Sequence, residues 1–481
     1  MMEFEAVIGL EIHVGMRTKS KMFSAAPNAF SLDPNTHVAP LDMAFPGTMP
    51  TINKQAVINA IRVANALHMD IDHALYFDRK NYFYADLPKG YQITQEHRPI
   101  GRNGHLLIKD KDGKDKIIHM ERLHMEEDTC KQVHLASCSL LDYNRAGIPL
   151  LEIVSSAEIR NGVEAMRFVE AIRNIVVYSK TSDGKMEEGS LRCDVNISLR
   201  LLGSSKLGTK VELKNLNSLK NIALAIDQEI LRQSKLLESG RSVLQETRRF
   251  DEAKGQTVAM RKKADSIDYK YFCDSNIAPI LLSQEFIDEA IATCPELYDE
   301  KKARYEKMGL SLIDASILLS DIDMASYFEQ AILKGTGPKT IANFLIVEVN
   351  GYLNKNKIPI SEFGLAPNQL AQIAAYQEEE GYSHAQCVDI FTYSLNNGVA
   401  PEAAKEKLGI QKQIEDGSLI RGYVVEAIQA NPQSVDDYLS GKDRVIGFLV
   451  GRVMKSAKEK LSPAIVAEIV KEELKKIAEN R

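Results

Sequence analysis

The sequence lacks paired cysteines. Its six cysteines are scattered, and no two of them form a C-x-x-C pair. This spacing disfavours a zinc ribbon and a disulfide framework, and it indicates reduced thiols in a cytoplasmic protein. Because no run of about 18 apolar residues occurs, we expect no membrane-spanning helix. The first residues, MMEFEAVIGLEIHV, are acidic and alternating, so we also expect no signal peptide.

Positive charge is not in excess, since the chain has 60 Lys and Arg residues and 66 Asp and Glu residues, which gives a net charge of −6. This balance argues against a protein that is basic throughout, and we expect no DNA partner, although a local basic patch is allowed. Glycine-rich nucleotide motifs are also missing. Residues 335–340 (GTGPKT) lack the GxxxxGK[ST] spacing, and no GxGxxG follows a strand. A P-loop or Rossmann-type nucleotide site is therefore disfavoured.

The length of 481 residues indicates two to four domains. Alternating, turn-rich segments dominate up to about residue 283, and helical patterns follow. We therefore predict an α+β fold with a catalytic domain at residues 1–292, a helical domain at 293–406 and a small helical tail domain at 407–481.

A predicted hairpin carries a dense set of polar side chains on one face. Residues 191–199 alternate, with apolar side chains on one side and Arg192, Asp194 and Asn196 on the other. After a turn, residues 208–215 resume the pattern with Lys210, Glu212 and Lys214. Such a face is either a solvated sheet surface or the floor of a site that binds an anion and positions an acyl group.

Acidic residues and a histidine form a second group of candidates. Glu11 and His13 project side by side from an alternating strand, which suits a hard metal ion or proton transfer, although a structural Glu also fixes a His in this way. Glu152 lies in an apolar strand, where a carboxylate is costly unless it is paired or holds a metal. Glu127 lies within three consecutive acids, and in a strand it points opposite to Glu126 and Asp128.

Residues 78–95 (DRKNYFYADLPKGYQITQ) combine cations and aromatic rings at high density. This composition suits phosphate contacts and stacking on a base or ribose, and the candidates are Lys80, Tyr82, Tyr84 and Lys89. A packed loop with a polar rim is the other interpretation.

Several long motifs occur in a recognisable order. They are VIGLEIHV (7–14), DRKNYFY (78–84), LHMEED (123–128), MEEGSLRCDVNISL (186–199), GTKVELKNLNS (208–218), QETRRFD (245–251), VNGYLNK (349–355) and GFLVGRVMK (447–455). With these motifs the chain resembles the GatB family, the B subunits of bacterial glutamyl/aspartyl-tRNA amidotransferases.

The resemblance implies a carbon–nitrogen ligase that takes its nitrogen from glutamine. In this family, ATP and Mg²⁺ serve to phosphorylate the side-chain carboxylate of Glu mischarged on tRNA(Gln) or Asp on tRNA(Asn). Ammonia from the amidase A subunit then displaces phosphate, and a small C subunit completes the heterotrimer. The implied catalytic fold is a curved, mostly antiparallel sheet backed by helices, similar to glutamine synthetase and the guanido kinases.

The resemblance and the chemistry of phosphoryl transfer assign roles to the candidates. The implied metal ligands are Glu11, His13, Glu127 and Glu152. The expected contacts to ATP and its phosphates are Lys80, Tyr82, Tyr84, Lys89, Arg192 and Lys214. The expected catalytic residues, which orient the carboxylate or ammonia or contact phosphate, are Asp194, Asn196, Glu212 and Lys210.

Basic residues crowd the end of the chain near Gly447 and Gly451, two glycines that share one helical face. The resemblance implies a tRNA-binding tail, whereas a solvated helix has a similar composition. The expected tRNA contacts are Lys442, Arg444, Arg452, Lys455 and Lys458.

Two other functions remain open at this point. One is an ATP-dependent carboxylate–amine ligase with a small-molecule substrate, and the basic tail argues against it. The other is a catalytically inactive RNA-binding scaffold, which has no need for a carboxylate such as Glu152 in an apolar strand.

Overall fold

The structure is a computed structural model that describes residues 3–262, 268–333, 335, 337–410, 417–439, 444–457 and 461–479. The chain forms two compact units, Met1–Glu300 and Lys301–Arg481. The predicted boundaries near residues 292 and 406 stay predictions. No helix in the described part of the chain combines the length and the apolar character that a bilayer crossing requires.

The first unit contains the strands and four of the helices. The strands are β1 (Phe4–Gly15), β2 (Asp70–Ile71), β3 (Ala74–Leu75), β4 (Asp78–Asn81), β5 (Tyr91–Thr94), β6 (Gly101–Lys109), β7 (Asp115–Glu127), β8 (Lys131–His134), β9 (Ser139–Asp142), β10 (Pro149–Ser155), β11 (Leu191–Leu201), β12 (Val211–Lys214), β13 (Glu246–Asp251), β14 (Gln256–Lys262), β15 (Phe272–Cys273) and β16 (Ile280–Leu281). The helices are α1 (Lys54–Ala66), α2 (Gly162–Tyr178), α3 (Leu219–Glu238) and α4 (Gln284–Ala292).

A nine-stranded sheet organises this unit in the order β14-β13-β12-β11-β1-β10-β7-β6-β2. Its pairs are antiparallel except for β12 and β13, which run parallel. The predicted α+β fold, a large and mostly antiparallel sheet followed by helices, is confirmed.

The two faces of the sheet differ in polarity because side chains alternate along each strand. On β1, Ile8, Leu10 and Ile12 are buried and join the core, to which α1, α2 and α3 also contribute. Burying each such side chain stabilises the fold by about 1.5–3 kcal/mol. Glu11 and His13 lie on the opposite, polar face, and this face carries the site.

Helix starts are set by capping residues. Helical spacing of apolar residues predicts a helix over residues 219–238. The hydroxyl of Ser218 accepts from the Asn221 N–H, and α3 begins at Leu219 in agreement with that pattern. Helical spacing of apolar residues predicts a helix over residues 155–180 that starts at Ser155 or Ser156. Helix α2 instead begins at Gly162, after Asn161, whose side chain accepts from the Glu164 N–H. Ser155 ends β10, and its hydroxyl accepts from the Leu10 N–H.

The remaining helices follow in chain order. They are α5 (Tyr298–Lys307), α6 (Leu312–Leu318), α7 (Ile322–Ile332), α8 (Pro338–Phe344), α9 (Asn350–Asn356), α10 (Pro367–Glu378), α11 (His384–Asn397), α12 (Pro401–Lys407), α13 (Gly417–Gln429), α14 (Pro432–Leu439), α15 (Arg444–Ser456) and α16 (Pro463–Glu479). Helical spacing predicts one helix over residues 338–353. In the structure, a π-helical turn at Leu345–Val349 divides this stretch into α8 and α9. Helices α13 to α16 share a core that includes Leu449, Val453 and Leu474.

Candidate functional site

Three adjacent strands bring two histidines and two carboxylates together on the polar face. His13 of β1 lies opposite Glu152 of β10, and Glu152 lies opposite His124 of β7. Glu126, two residues beyond His124, projects from the same side of β7. We call these four residues the histidine cluster.

Each carboxylate of the histidine cluster lies between both imidazoles. Glu152 Oε2 is 3.4 Å from His13 Nε2 and 3.1 Å from His124 Nε2. Glu126 Oε1 is 3.8 Å from His13 Nε2, and Glu126 Oε2 is 3.5 Å from His124 Nε2. Donor atoms of His13, Glu126 and Glu152 all lie within 4.8 Å of one another, a spacing that suits one divalent cation.

Burial and charge act in opposite directions on the pKa values of this cluster. Burial by itself lowers the pKa of both imidazoles, but the adjacent carboxylates offset it, so the pKa of His13 is raised and that of His124 rises to about 9. Burial alone would raise the pKa of Glu152, yet the charges and hydrogen bonds of the two imidazoles hold it well below its usual range. Glu152 is therefore an anion at neutral pH.

Two of the predicted metal ligands lie outside this grouping. Glu127 projects from the other side of β7, where its carboxylate accepts hydrogen bonds from Lys89 and from the Ile93 N–H at 3.0 Å. Glu11 lies on the polar face, but its Oε1 accepts a hydrogen bond of 2.8 Å from Asn196 Nδ2. Glu126, rather than Glu127, lies within 4.8 Å of both His13 and Glu152.

A second group of polar residues lies on β11, β12 and β13. Lys214 donates to Asp194 and lies 3.4 Å from Glu212 Oε1. Thr247 Oγ1 donates to Glu212 Oε2 at 2.8 Å. Burial lowers the pKa of Lys214, but Asp194 and Glu212 outweigh burial and raise it, so the side chain stays a cation. We call Lys214, Asp194, Glu212 and Thr247 the lysine cluster.

The predicted hairpin face is confirmed by the strand register. Asn196 pairs with Glu212, so both side chains project from the polar face. Arg192 pairs with His13 and donates from Nη2 to Asp128 Oδ2 at 2.9 Å. Lys210 is exposed immediately before β12.

The aromatic segment at residues 78–95 packs partly against Tyr269. Lys80 Nζ lies 5.0 Å from the centre of the Tyr269 ring, and the Tyr82 ring meets it edge-on at 6.0 Å. Burial and the nearby Asp86 raise the pKa of the Tyr82 hydroxyl. Tyr84 is exposed. Of the residues predicted to contact ATP, Lys80 and Tyr82 thus belong to a packed group, whereas Tyr84 lies exposed in a loop.

His124, Glu126 and Asp128 have no role that the sequence pattern predicts. Their signal is present in LHMEED, because His124, Glu126 and Asp128 alternate along one strand and share a side. That side becomes the polar face only once β7 is paired with β10, which places His124 opposite Glu152.

Basic side chains of the tail line one exposed face of α15. Arg444, Arg452 and Lys455 are exposed on this face, and the Arg452 guanidinium lies 6.0 Å from the centre of the exposed Phe448 ring. Lys442 and Lys458, the other predicted tRNA contacts, lie outside the described residues.

Comparison with known proteins relates this site to a family. A family model described as the GatB/GatE catalytic domain matches residues 6–288, and one described as a GatB domain matches residues 326–474. The chain belongs to the GatB/GatE family. The histidine and lysine clusters lie within the catalytic-domain match of this family, and α15 lies within the second match.

Full-length relatives share one name, since each is called the B subunit of an aspartyl/glutamyl-tRNA(Asn/Gln) amidotransferase. The chain is 45% identical over 477 residues to the protein of Geobacillus thermodenitrificans. It is 44% identical over 476 residues to that of Macrococcus caseolyticus and 45% identical over 476 residues to that of Staphylococcus haemolyticus. Each match covers 99% of this chain and 100% of the relative.

Proposed function

We propose that this chain is the B subunit of a tRNA-dependent amidotransferase, a carbon–nitrogen ligase. It activates the side-chain carboxylate of Glu on tRNA(Gln) or Asp on tRNA(Asn) by transferring a phosphoryl group from ATP. Ammonia then attacks the acyl carbon, phosphate leaves, and the amide forms on the tRNA. Membership of the family and the shared name of the full-length relatives support this role.

The histidine cluster is the observation that carries the proposed chemistry. Two carboxylates and an imidazole within 4.8 Å form a donor set that suits Mg²⁺ or another hard divalent cation. Glu152 supports this fit because its low pKa keeps a ligand oxygen deprotonated at neutral pH. His13, Glu126 and Glu152 would hold the ion, which supplies charge neutralisation for the phosphates of ATP.

The cations around the cluster position the phosphates. Arg192 lies next to His13 in the sheet and presents a planar fork of donors, the geometry that favours phosphate oxygens. Lys80, Lys210 and Lys214 supply further positive charge, whereas Lys89 is already paired with Glu127. Tyr82 and Tyr84 offer surfaces on which a base can stack. Such contacts lower the barrier by orientation and electrostatics rather than by covalent chemistry.

The lysine cluster is suited to the second half of the reaction. Asp194 and Glu212 are hydrogen-bond acceptors on rigid strands, and Asn196 adds an amide that can both donate and accept. We assign them to orienting the acyl group and the incoming ammonia. The ammonia comes from an amidase A subunit, which joins this chain and a C subunit in a heterotrimer.

The exposed face of α15 is our candidate for contact with the tRNA backbone. Arg444, Arg452 and Lys455 would neutralise phosphates, and Phe448 offers a ring for stacking. Changing these three cations to Gln should weaken tRNA binding and reduce its salt dependence. The matched control changes Lys471, Lys475 and Lys476, three exposed cations of α16, to Gln. Equal losses in both variants would indicate a general charge effect instead.

The deciding experiment measures ATP hydrolysis by the reconstituted three-subunit complex with Mg²⁺, with and without Glu-tRNA(Gln). We expect stimulation by the mischarged tRNA that disappears in Glu152→Ala. The matched control is Glu158→Gln, which removes a carboxylate from an exposed His–Glu pair outside the site and should leave the rate unchanged.

Other outcomes identify the alternatives. Turnover on a free amino acid without any response to tRNA would identify a small-molecule carboxylate–amine ligase. Tight tRNA binding without metal-dependent ATP turnover would identify an RNA-binding scaffold.

A further inference from the structure

Asp128 lies just after β7 and is fixed from both sides. Its N–H donates to the Ile148 carbonyl at 2.9 Å, and its own carbonyl accepts from the Gly147 N–H at 2.9 Å. Oδ1 accepts from the Thr129 N–H, also at 2.9 Å. The side chain is only 10% exposed. Asp128 therefore presents Oδ2 in one defined direction.

Two arginines converge on this oxygen. Arg192 Nη2 donates to Asp128 Oδ2 at 2.9 Å, and Arg145 Nε lies 3.6 Å from the same atom. Arg145 has other acceptors, since it donates to the carbonyls of Thr129 and Cys130 at 3.0 and 2.8 Å. Arg192 forms an ion pair with Asp128 alone among the described residues. The carboxylate thus determines the orientation of Arg192 more than that of Arg145.

The Arg192 guanidinium has further N–H donors besides the Nη2 group that bonds to Asp128. Its Nε is buried and has no hydrogen-bond partner within the described part of the chain. A buried donor without a partner costs about 1–3 kcal/mol, so such an atom favours an acceptor that arrives with a ligand. Arg192 lies opposite His13 in the sheet, which places its side chain beside the histidine cluster. Phosphate oxygen is the acceptor that a guanidinium fork matches best.

We propose that Asp128 is a positioning residue that holds Arg192 against the histidine cluster, so that the guanidinium can bind the phosphoryl group of ATP. This inference rests on the proposed function, because it names the residue that orients one of its phosphate contacts. Asp128 itself does not touch the nucleotide. Its effect on ATP binding passes through Arg192.

The test uses the three-subunit complex and compares kcat and KM for ATP. Asp128→Asn keeps the shape but weakens the ion pair, and we expect KM for ATP to rise about tenfold, with a smaller change in kcat. The matched control is Asp72→Asn, another aspartate bonded to an arginine, whose Oδ1 accepts from Arg98 Nη2 at 2.7 Å. That variant should keep the wild-type KM.

A double-mutant cycle separates positioning from general support of the fold. In an Arg192→Met background, Asp128→Asn should raise KM no further, because the residue through which it acts is gone. Additive effects of the two changes, or a wild-type KM in Asp128→Asn, would overturn the proposal. If Asp128→Asn fails to fold, Asp128→Glu keeps the charge but displaces the carboxylate. A wild-type KM in that variant would equally contradict the inference.

The same data distinguish this proposal from the proposed function. A wild-type complex without tRNA-stimulated ATP turnover would refute the function itself. An active wild-type complex whose KM for ATP is insensitive to Asp128 would refute only the positioning role.

Discussion

Two clusters on one face of the sheet neutralise their carboxylates in different ways. In the histidine cluster, Glu126 and Glu152 lie between two imidazoles. In the lysine cluster, Asp194 and Glu212 lie beside the ammonium group of Lys214. An imidazolium gives up its proton within a few pH units of neutrality, whereas lysine keeps its proton far above it. The first cluster can therefore release the protons that compensate its carboxylates, as the metal site proposed above requires, and the second keeps its proton.

This difference indicates a division of labour across neighbouring strands. Metal binding requires ligands that can lose their protons, and the histidine cluster provides them. A permanently paired set of charges, as in the lysine cluster, instead offers fixed dipoles that need no reorganisation during the reaction. The Glu11–Asn196 hydrogen bond, which joins β1 to β11, marks the border between the two clusters.

The largest expected difference between the clusters is in metal affinity. Glu126→Gln replaces a ligand oxygen of the histidine cluster by a neutral amide, and we expect Mn²⁺ affinity to fall by about a hundredfold or more. Asp194→Asn is the corresponding change in the lysine cluster and should leave the affinity unchanged. Calorimetric titration of the complex with Mn²⁺ measures both. Glu127→Gln should also keep the affinity, and a large loss there would restore Glu127 as a ligand.

The next effect concerns the cation that distinguishes the lysine cluster. Lys214→Met leaves Asp194 and Glu212 facing each other without the ammonium group that lies beside both. We expect a loss of about 1–2 kcal/mol in the free energy of unfolding, less than for a fully buried pair because Lys214 is 33% exposed. The variant should also gain weak binding of divalent ions. Urea unfolding with and without Ca²⁺ measures both effects.

The control for this variant is a surface ion pair. Lys185→Met breaks an exposed pair with Glu188, and it should destabilise the fold clearly less than Lys214→Met because water and salt screen exposed charges. If Lys214→Met were no more harmful than Lys185→Met, the lysine cluster would not depend on its central cation.

The sequence predicts the elements of the sheet well, because alternation is a local property. The alternation of residues 4–14 agrees with β1. The polar face with Asp194, Asn196 and Glu212 agrees with β11 and β12. The helix predicted at residues 219–238 also agrees with α3, whose Ser218 cap is visible in the sequence. These features depend on neighbours only a few residues away.

The composition of the histidine cluster depends on long-range pairing and could be predicted only in part. Alternation tells us that Glu126 and Glu127 point to opposite sides, but not which side faces His13. That choice follows from the register of β7 with β10, which puts His124 opposite Glu152. Similarly, the loop that carries Lys89 must pack before its ammonium group meets Glu127. Neither contact has a signal in the nearby sequence.

A smaller effect concerns the pH dependence of stability in the histidine cluster. The pKa of His124 is raised from 6.5 to about 9 in the folded protein without metal. A raised histidine pKa stabilises the fold fully below about pH 6.5, and this stabilisation is lost as pH rises through 9. Without divalent ions, we expect Tm to fall by several degrees over this range.

His124→Asn provides the control, because it removes the titrating group and should flatten this part of the Tm profile. Adding Mg²⁺ at pH 9 should restore part of the lost stability in the wild type, since the ion replaces protons between the carboxylates. A flat wild-type profile between pH 6.5 and 9 would show that the imidazoles do not bear the charge assigned to them.

The smallest expected effect lies at the border between the clusters. Glu11 is implied as a metal ligand by the resemblance, yet its carboxylate accepts from Asn196 and is not among the donors within 4.8 Å. Glu11→Gln should therefore lower Mn²⁺ affinity by only about threefold, the size expected when a nearby charge is lost but no ligand is. A loss as large as that of Glu126→Gln would mean that Glu11 turns from Asn196 to the ion when metal binds. The histidine cluster would then include Glu11, which pairs with Asp194 of the lysine cluster across β1 and β11.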